Sequence, residues 1–148
     1  MTMRKLNKEE IAAALTLAWQ VFLQFEAPDY TQEGVDEFYK SIHDNAYVSA
    51  LTFYGAFVKT HLVGVLATRK EGKHIALFFV EEAYQGQGIG RQLFEEAKCD
   101  GMTVNASPYA VKIYRKLGFA DTDKEQSVNG LRFTPMVYTD KAKTEYER

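Results

Sequence analysis

The spacing of apolar residues predicts helices in four segments of the chain. In the first segment, apolar residues recur every three or four positions, at Ile11, Leu15, Ala18, Trp19 and Phe22. In the second segment they are Val35, Phe38, Tyr39 and Ile42. In the third they are Ile89, Leu93, Phe94 and Ala97, and in the fourth Val111, Tyr114 and Leu117. Residues that favour helix starts precede three of the segments: Asn7 with Glu10, Thr31, and Ser107 with Pro108.

Three segments between the second and third helices have the composition of β-strands. Residues 47–58 and 62–69 are rich in β-branched, aromatic and small side chains, which predicts a pair of antiparallel strands. Residues 74–80, HIALFFV, are almost wholly apolar, as expected for a central strand that is covered on both faces. Further strands are predicted at residues 102–106, around Phe119 and at residues 131–138. This order predicts one α/β domain over residues 1–148, a mixed sheet with helices on its faces.

Composition narrows the class of protein. Of the 148 residues, 46% are hydrophobic and the formal net charge is −2, which favours a folded globule and gives no basic surface for nucleic acid. No apolar segment is long enough to cross a membrane, and the first residues lack the apolar stretch of a signal peptide. One cysteine, Cys99, and three histidines without ligand spacing predict neither a disulfide nor a metal site. We therefore expect a cytoplasmic protein.

Gly86, Gly88 and Gly90 occupy alternate positions directly before the third helix. A helix N-terminus presents free amides and partial positive charge, and glycine lacks the Cβ that would keep an anion away from them. A phosphate-binding loop therefore fits the pattern. A Walker loop would need a lysine and a hydroxyl residue after the glycines, and a dinucleotide fingerprint would need glycine where Arg91 stands. On local grounds, a glycine-rich turn that merely ends a strand is the alternative.

Two motifs in this part of the chain resemble those of one enzyme family. QGQGIGR, residues 85–91, is similar to the (Q/R)xxGx(G/A) acyl-CoA motif of the GNAT superfamily of N-acyltransferases. NASPYAVKIYRKLGF, residues 105–119, resembles the second motif of that family, which is roughly N-x-x-A-x-x-x-Y-x-x-x-G-F. The resemblance covers about residues 47–119. It implies a mixed, mostly antiparallel sheet with splayed central strands, and transfer of an acetyl group from acetyl-CoA to an amine.

The resemblance also implies which residues form the cofactor site. They are Phe79, Val80, Gln85, Gly86, Gln87, Gly88, Ile89, Gly90, Arg91, Asn105, Ala110 and Tyr114, several of them through their main chain. A bulge in the preceding strand would open a slot for the pantetheine arm and free an amide that polarises the thioester carbonyl. Tyr114 is the candidate general acid, because a phenol can donate a proton to the departing thiolate.

The general base is harder to assign. The attacking amine must be neutral, yet an alkylammonium has a pKa near 10.4. Many members of the family place a carboxylate on or near the central strand, but residues 74–80 contain no acidic side chain. Glu26 and Tyr30 lie in the segment that usually walls the acceptor pocket, and we expect them to contact the substrate. Other acidic residues near the site are Glu33, Glu81 and Glu82.

The expected reaction is direct attack of a primary amine on acetyl-CoA in a ternary complex. Cys99 falls late in the third predicted helix, away from the proposed reaction centre, which disfavours an acyl-cysteine intermediate. The acceptor would be a small-molecule or peptide amine, and a homodimer is compatible with the sequence. A non-catalytic acyl-CoA-binding or sensing module is the alternative, because no base is evident.

Overall fold

Eight strands form one mixed sheet in the computed structural model, which describes residues 1–140; the end of the charged tail predicted at residues 139–148 lies outside them. The strands are β1 (Thr2–Lys5), β2 (Thr52–Val58), β3 (His61–Arg69), β4 (His74–Val80), β5 (Thr103–Ala106), β6 (Phe119–Asp121), β7 (Gln126–Val128) and β8 (Leu131–Tyr138). Their order is β1-β2-β3-β4-β5-β8-β6, with β7 paired to β8. Every pair is antiparallel except β4 with β5, which confirms the mostly antiparallel sheet.

The described chain contains the four predicted helices and one short helix more. They are α1 (Ile11–Val21), α2 (Gln32–Ile42), α3 (Asn45–Ser49), α4 (Ile89–Ala97) and α5 (Val111–Leu117). Before α1, the Glu10 carboxylate accepts the amide N–H of Asn7 at 2.9 Å. At the start of α2, the Thr31 hydroxyl accepts the amide of Gly34 at 3.4 Å. α5 ends at Gly118, whose φ of +111° is the left-handed conformation that favours glycine.

Apolar side chains cover both faces of the sheet. One cluster packs α1 and α2 against one face and includes Phe22, Val65 and Phe79. The other packs α4 and α5 against the opposite face and includes Leu66 and Phe94. Val65 and Leu66 are neighbours in β3 and point to opposite faces, as strand geometry requires. Since each fully buried large side chain contributes roughly 1.5–3 kcal/mol, these two layers fix the helices that carry the site.

The sheet opens between β4 and β5. These parallel strands pair only through the first two residues of β4, His74 and Ile75. A bulge lies at the same point, because β3 pairs with Ile75 and then with Leu77, so that Ala76 has no partner in β3. The central strands are therefore splayed, and the bulge implied by the resemblance is present.

The strand predicted over residues 47–58 begins only at Thr52, which corrects the sequence-based prediction. The Asp44 carboxylate accepts the amides of Ala46 and Tyr47 at 2.9 and 3.1 Å and starts α3. A strong N-cap thus overrides the β-propensity of the residues that follow it.

β1 was not predicted, because its sequence TMRK is mostly polar. It is an edge strand that pairs only with β2, and three of its four residues are exposed. The Arg4 guanidinium bonds the Glu10 carboxylate at 2.6 and 2.8 Å and lies 4.4 Å from the ring centroid of Phe57. Main-chain pairing and these contacts hold the strand, and neither leaves a hydrophobic pattern in the sequence.

Candidate active site

The glycine-rich loop follows β4, and its main chain is open to the surroundings. Gly86 and Gly88 have φ values of +77° and +82°, a conformation that glycine adopts without strain. A Cβ added at either position would meet no atom within 4 Å. Gly88 is the N-cap of α4, so the free amides of the first helical turn come directly after it. The protein itself therefore leaves the space beside this backbone empty.

Two glutamine side chains hold the loop rather than enter that space. The Gln85 amide donates to the carbonyl oxygen of Val80 at 2.9 Å, which ties the loop to the end of β4. The Gln87 amide donates to the carbonyl oxygen of Ala83 at 3.3 Å. Both residues were predicted to contact the cofactor, and their main chain is the part left free to do so.

Ile89 and Arg91, two further predicted cofactor contacts, use their side chains elsewhere. Ile89 is 1% exposed and belongs to the core. The Arg91 guanidinium donates to the carbonyl oxygen of Lys116 at 2.9 Å, in the last turn of α5. The Arg91 side chain therefore joins α4 to α5 instead of facing the open side of the loop.

A cavity of about 270 Å³ lies beside this loop, and we call it the loop cavity. It is bounded by β4, the loop, the start of α4 and the region that leads into α5. Its lining includes Val80, Gly86, Gly88, Gly90, Tyr109 and Ile113.

A second cavity, of about 300 Å³, is walled by α2 and by the segment between α1 and α2; we call it the α2 cavity. β5 and the hairpin of β7 and β8 complete it. Its lining includes Phe22, Tyr30, Glu37, Phe38, Ser41, Tyr47, Asn105, Ser107, Arg132 and Phe133. Asn105, predicted as a cofactor contact, lines this cavity and not the loop cavity.

The two cavities meet where β4 and β5 separate. Five residues line both of them: Glu26, Phe78, Phe79, Ala110 and Tyr114. The structure therefore brings together a carboxyl from the end of α1 and a phenol from α5, at the opening of the sheet.

Tyr114 is 6% exposed at this junction. Its ring packs edge-on against Phe78 and Phe119, with centroid distances of 6.0 and 5.2 Å. Burial, and then the negative charge of Glu26, raise the pKa of the phenol well above its usual range. Tyr114 therefore stays protonated around neutral pH and is available as a donor.

Glu26 is placed by an irregular turn at the end of α1. The helix continues as a single π-turn, Phe22–Glu26, in which the amide of Ala27 donates to the carbonyl of Phe22. A π-turn holds one residue more than an α-turn, and such turns occur often at functional sites. The turn brings the half-buried Glu26 to the lining of both cavities.

The environment of Glu26 keeps its carboxyl close to half-ionised at neutral pH. Burial raises the pKa of Glu26 to about 7, the charge of Asp29 acts in the same direction, and a hydrogen bond from Ser107 opposes them. A general base is most effective when its pKa lies near the working pH. Glu26 therefore has the pKa expected of a general base, the role that the sequence left unassigned.

Ser107 is buried beside Glu26 and Tyr30. Its hydroxyl accepts the amide N–H of Ala110 at 3.3 Å. The Ser107 hydroxyl also lowers the pKa of the Glu26 carboxyl and of the Tyr30 phenol. Burial outweighs this effect and raises the pKa of Tyr30 above its usual range, which keeps the phenol protonated.

The contribution of α2 to the site was not predicted from the sequence. Glu37 and Ser41 both line the α2 cavity, and their spacing of four residues places them on one face of a helix. Phe38 lies beside them, and its ring stacks on Phe22 with centroids 3.9 Å apart. That helical spacing was a usable signal. The Asn-Gly pair at residues 129–130 is a local signal for the hairpin of β7 and β8, but its contact with the cavity depends on the pairing of β8 with β5.

Metal-binding clusters and membrane-spanning helices are both absent from residues 1–140. No three His, Cys, Asp or Glu side chains there are grouped so that they could hold a metal ion. Within the same residues, no helix combines the length and the apolar character that crossing a membrane requires.

Comparison with known proteins gives one family match. The acetyltransferase (GNAT) domain family matches residues 26–139, which include β4, the glycine-rich loop and α5. No protein of curated function matches the sequence.

Several solved structures have the same fold. A GCN5-related N-acetyltransferase from Rhodopseudomonas palustris has a TM-score of 0.80 at 23% identity, over 94% of this chain and 95% of its own. The PaiA N-acetyltransferase from Thermoplasma acidophilum, solved with coenzyme A, has a TM-score of 0.74 at 17% identity, over 94% and 98%. A chimera of the spermidine N-acetyltransferase SpeG from Vibrio cholerae and hSSAT has a TM-score of 0.60 at 17% identity over both whole chains. At these identities the likeness establishes the fold alone.

The family match covers more than half of the chain, and the splayed sheet, the open loop and the junction of two cavities agree with it. GNAT acetyltransferases use acetyl-CoA, and one structural neighbour is solved with coenzyme A. The chain belongs to the GNAT family of acetyltransferases.

Proposed function

We propose that this protein transfers the acetyl group of acetyl-CoA to a primary amine, by direct attack within a ternary complex. The observation that carries the proposal is that both cavities are lined by the same carboxyl and phenol, Glu26 and Tyr114. Two reactants can enter from different sides and meet beside groups that exchange protons. A structurally similar protein is named as a spermidine N-acetyltransferase, which supports an amine as acceptor.

The loop cavity fits coenzyme A. The open main chain at Gly86 and Gly88 leaves room for a diphosphate, and the start of α4 favours negative charge. The edge of β4 beyond Ile75 offers unpaired main-chain groups to an extended arm. The proposed contacts are residues 85–90 for the diphosphate, with Phe79, Val80 and Ala110 for the arm. When bound, acetyl-CoA supplies an acetyl group activated as a thioester.

The side chains of Arg91 and Asn105, both predicted to contact the cofactor, are less well placed to do so. The Arg91 guanidinium is bonded to α5, and its contribution would be the main-chain amide at the start of α4. Asn105 lines the α2 cavity, so its amide side chain lies on the acceptor side of the junction. The structure therefore supports residues 85–90 more strongly than either of these side chains.

Glu26 is the proposed general base. The acceptor arrives as an ammonium with a pKa near 10.4, and only the neutral amine attacks. The pKa of Glu26, about 7, is nearer to that of the ammonium than the pKa of an ordinary glutamate, which is 4.5. Glu26 still ionises at neutral pH. The ammonium gives one proton to a carboxylate oxygen of Glu26, which then carries no charge. After attack, the second proton leaves the nitrogen and replaces the one that Tyr114 donates to the sulfur.

Tyr114 is the proposed general acid. Its phenol donates a hydrogen bond, and then its proton, to the sulfur that leaves. The negative charge of Glu26 contributes to the raised pKa of Tyr114, so protonation of Glu26 removes that contribution. Proton uptake by the base therefore strengthens the acid for the step that follows.

The test is the release of free coenzyme A thiol from acetyl-CoA in the presence of a panel of primary amines, with thermal unfolding in coenzyme A measured in parallel. We expect thiol release with at least one amine and a rise in Tm with coenzyme A. A rise in Tm without thiol release across the panel would support a non-catalytic acyl-CoA-binding or sensing module. Absence of both effects would reject the proposal.

A further inference from the structure

We infer that the amine acceptor carries a second ammonium group, which Glu37 holds while the first ammonium group reacts beside Glu26. The inference rests on the proposed function, because it names the substrate of the same site. It follows from the distribution of charge in the α2 cavity, where both carboxyls line the wall.

Glu37 is a half-buried carboxylate without a cation. It lies on α2 and lines the α2 cavity but not the loop cavity. Among the residues that the structure describes, no lysine, arginine or histidine forms an ion pair with it. Ser41 bonds the carbonyl oxygen of Glu37 and not its carboxylate. A cation in the cavity would therefore gain a charge-assisted contact with this carboxylate.

Among the described residues that line the α2 cavity, no cation is free to meet a substrate carboxylate. Arg132 lines the cavity, but its guanidinium donates to both carboxylate oxygens of Glu125, at 3.2 and 3.3 Å. It also donates to the carbonyl oxygen of Asp29 at 3.4 Å. No lysine or histidine is among the described lining residues. An amino acid acceptor would place its carboxylate near Glu26 and Glu37 without a counter-charge, which disfavours that class.

Much of the remaining wall is aromatic. Phe38 stacks on Phe22 with an interplanar angle of 5°, and Tyr30 stacks on Phe22 with centroids 5.7 Å apart. Aromatic faces attract ammonium groups, and they pack well against methylene groups. A volume of about 300 Å³ is at the lower end for ligand pockets and admits a short acceptor. A short aliphatic diamine meets these conditions, with two charges for two carboxylates and an apolar chain for the rings.

The test compares amines of equal chain length in the thiol-release assay: cadaverine with pentylamine, and putrescine with butylamine. We expect kcat/KM to be at least about tenfold higher for each diamine than for its monoamine, because one charge-assisted contact is added. Glu37→Gln should raise KM for the diamines about tenfold and leave the monoamines within about twofold. Glu33→Gln is the matched control, since Glu33 is exposed on the same helix and does not line the cavity.

Three results would overturn the diamine while leaving the transferase in place. The first is equal kcat/KM for diamines and monoamines, and the second is an equal loss for both in Glu37→Gln. The third is a preference for phenethylamine, which would show that the aromatic wall of the cavity recognises an aromatic acceptor. If coenzyme A binds but no amine releases thiol, calorimetry of cadaverine with the coenzyme A-loaded protein tests whether the cavity binds a diamine. Heat that is lost in Glu37→Gln would support the inference, and no heat would overturn it. Failure of coenzyme A itself to bind would instead reject the proposed function and the inference with it.

Discussion

The loop cavity and the α2 cavity meet at one junction, but they are built from different parts of the chain. The loop cavity takes much of its lining from the continuous run of β4, the loop and the start of α4, and its loop presents open main chain at Gly86 and Gly88. The α2 cavity is lined by side chains from distant segments, among them Glu26, Glu37, Asn105 and Arg132. A site made of local backbone leaves a short motif in the sequence, whereas a site assembled by packing does not. The acceptor side can therefore change by substitution while the cofactor side stays intact.

The largest effect is expected from Glu26→Gln, which tests whether the α2 cavity supplies the base. The amide keeps the size of the side chain and can still accept from Ser107, but it cannot take a proton. We expect kcat/KM to fall roughly 10³-fold, within the range for general bases. The coenzyme A Kd should change by less than about twofold, because the proposed contacts with the diphosphate are main-chain groups. Thiol release and calorimetry measure the two quantities.

The same variant should alter the dependence of rate on pH. In the wild-type protein, kcat/KM should rise as pH increases through about 7, where Glu26 ionises. In Glu26→Gln this inflection near pH 7 should be missing, and the residual rate should instead follow the growing fraction of neutral amine; Glu33→Gln should retain the inflection. A wild-type profile without a rise near neutral pH would show that another group is the base.

Tyr114→Phe should have the next largest effect and separates the acid from the packing of the junction. Phenylalanine keeps the ring contacts with Phe78 and Phe119 and removes only the hydroxyl. We expect kcat to fall roughly 10²-fold at nearly unchanged coenzyme A affinity. Tyr39→Phe is the control, because Tyr39 is 48% exposed on α2 and lines neither cavity. A loss confined to KM would place the hydroxyl in binding rather than in proton transfer.

Gly88→Ala tests the backbone side of the comparison. Gly88 and Gly72 both have left-handed φ values, +82° and +86°, and both face open space. Alanine should therefore strain both turns by about 1–2 kcal/mol, with similar losses of Tm. Only Gly88→Ala should weaken coenzyme A, by about tenfold in Kd, because Gly72 lies in the turn between β3 and β4. Equal affinities in the two variants would contradict diphosphate binding by this main chain.

The smallest expected effect is on the free energy of unfolding, which Glu26→Gln should increase at about pH 8. The pKa of Glu26 in the folded state is about 7, above its ordinary value of 4.5. The folded state therefore holds the proton more tightly, and its stability falls as pH rises from about 4.5 to about 7. At about pH 8 the variant should be more stable by roughly 1–3 kcal/mol, a few degrees in Tm, with little difference at about pH 5. A lower Tm at about pH 8 would show that the ionised carboxylate stabilises the fold.

Local features of the sequence predicted the cofactor side. The apolar run of residues 74–80 identified β4 with its correct bounds, and the alternating glycines identified the loop. The A-x-x-x-Y spacing placed Ala110 and Tyr114 together, and both line the junction. Each of these signals lies within a few residues, so one sequence is enough to read them.

The acceptor side could be predicted only in part, for a physical reason. Glu26 was a candidate for substrate contact, but its burial depends on a π-turn and on the packing of α1 against β4, which no local pattern encodes. Glu37 was overlooked because a charged residue on an amphipathic helix is ordinarily solvated. Arg132 lies in β8, which reaches the cavity through its pairing with β5, a long-range contact.

The π-turn at the end of α1 sets how easily this activity can be lost. Deleting one residue from it would allow the segment to close into regular helix with better hydrogen bonds. Every side chain beyond the deletion would then rotate by about 100° around the axis, including the carboxylate at Glu26. A single-codon deletion is therefore expected to give a more regular protein that lacks the proposed general base. Selection for acetyl transfer would thus keep the extra residue that creates the π-turn.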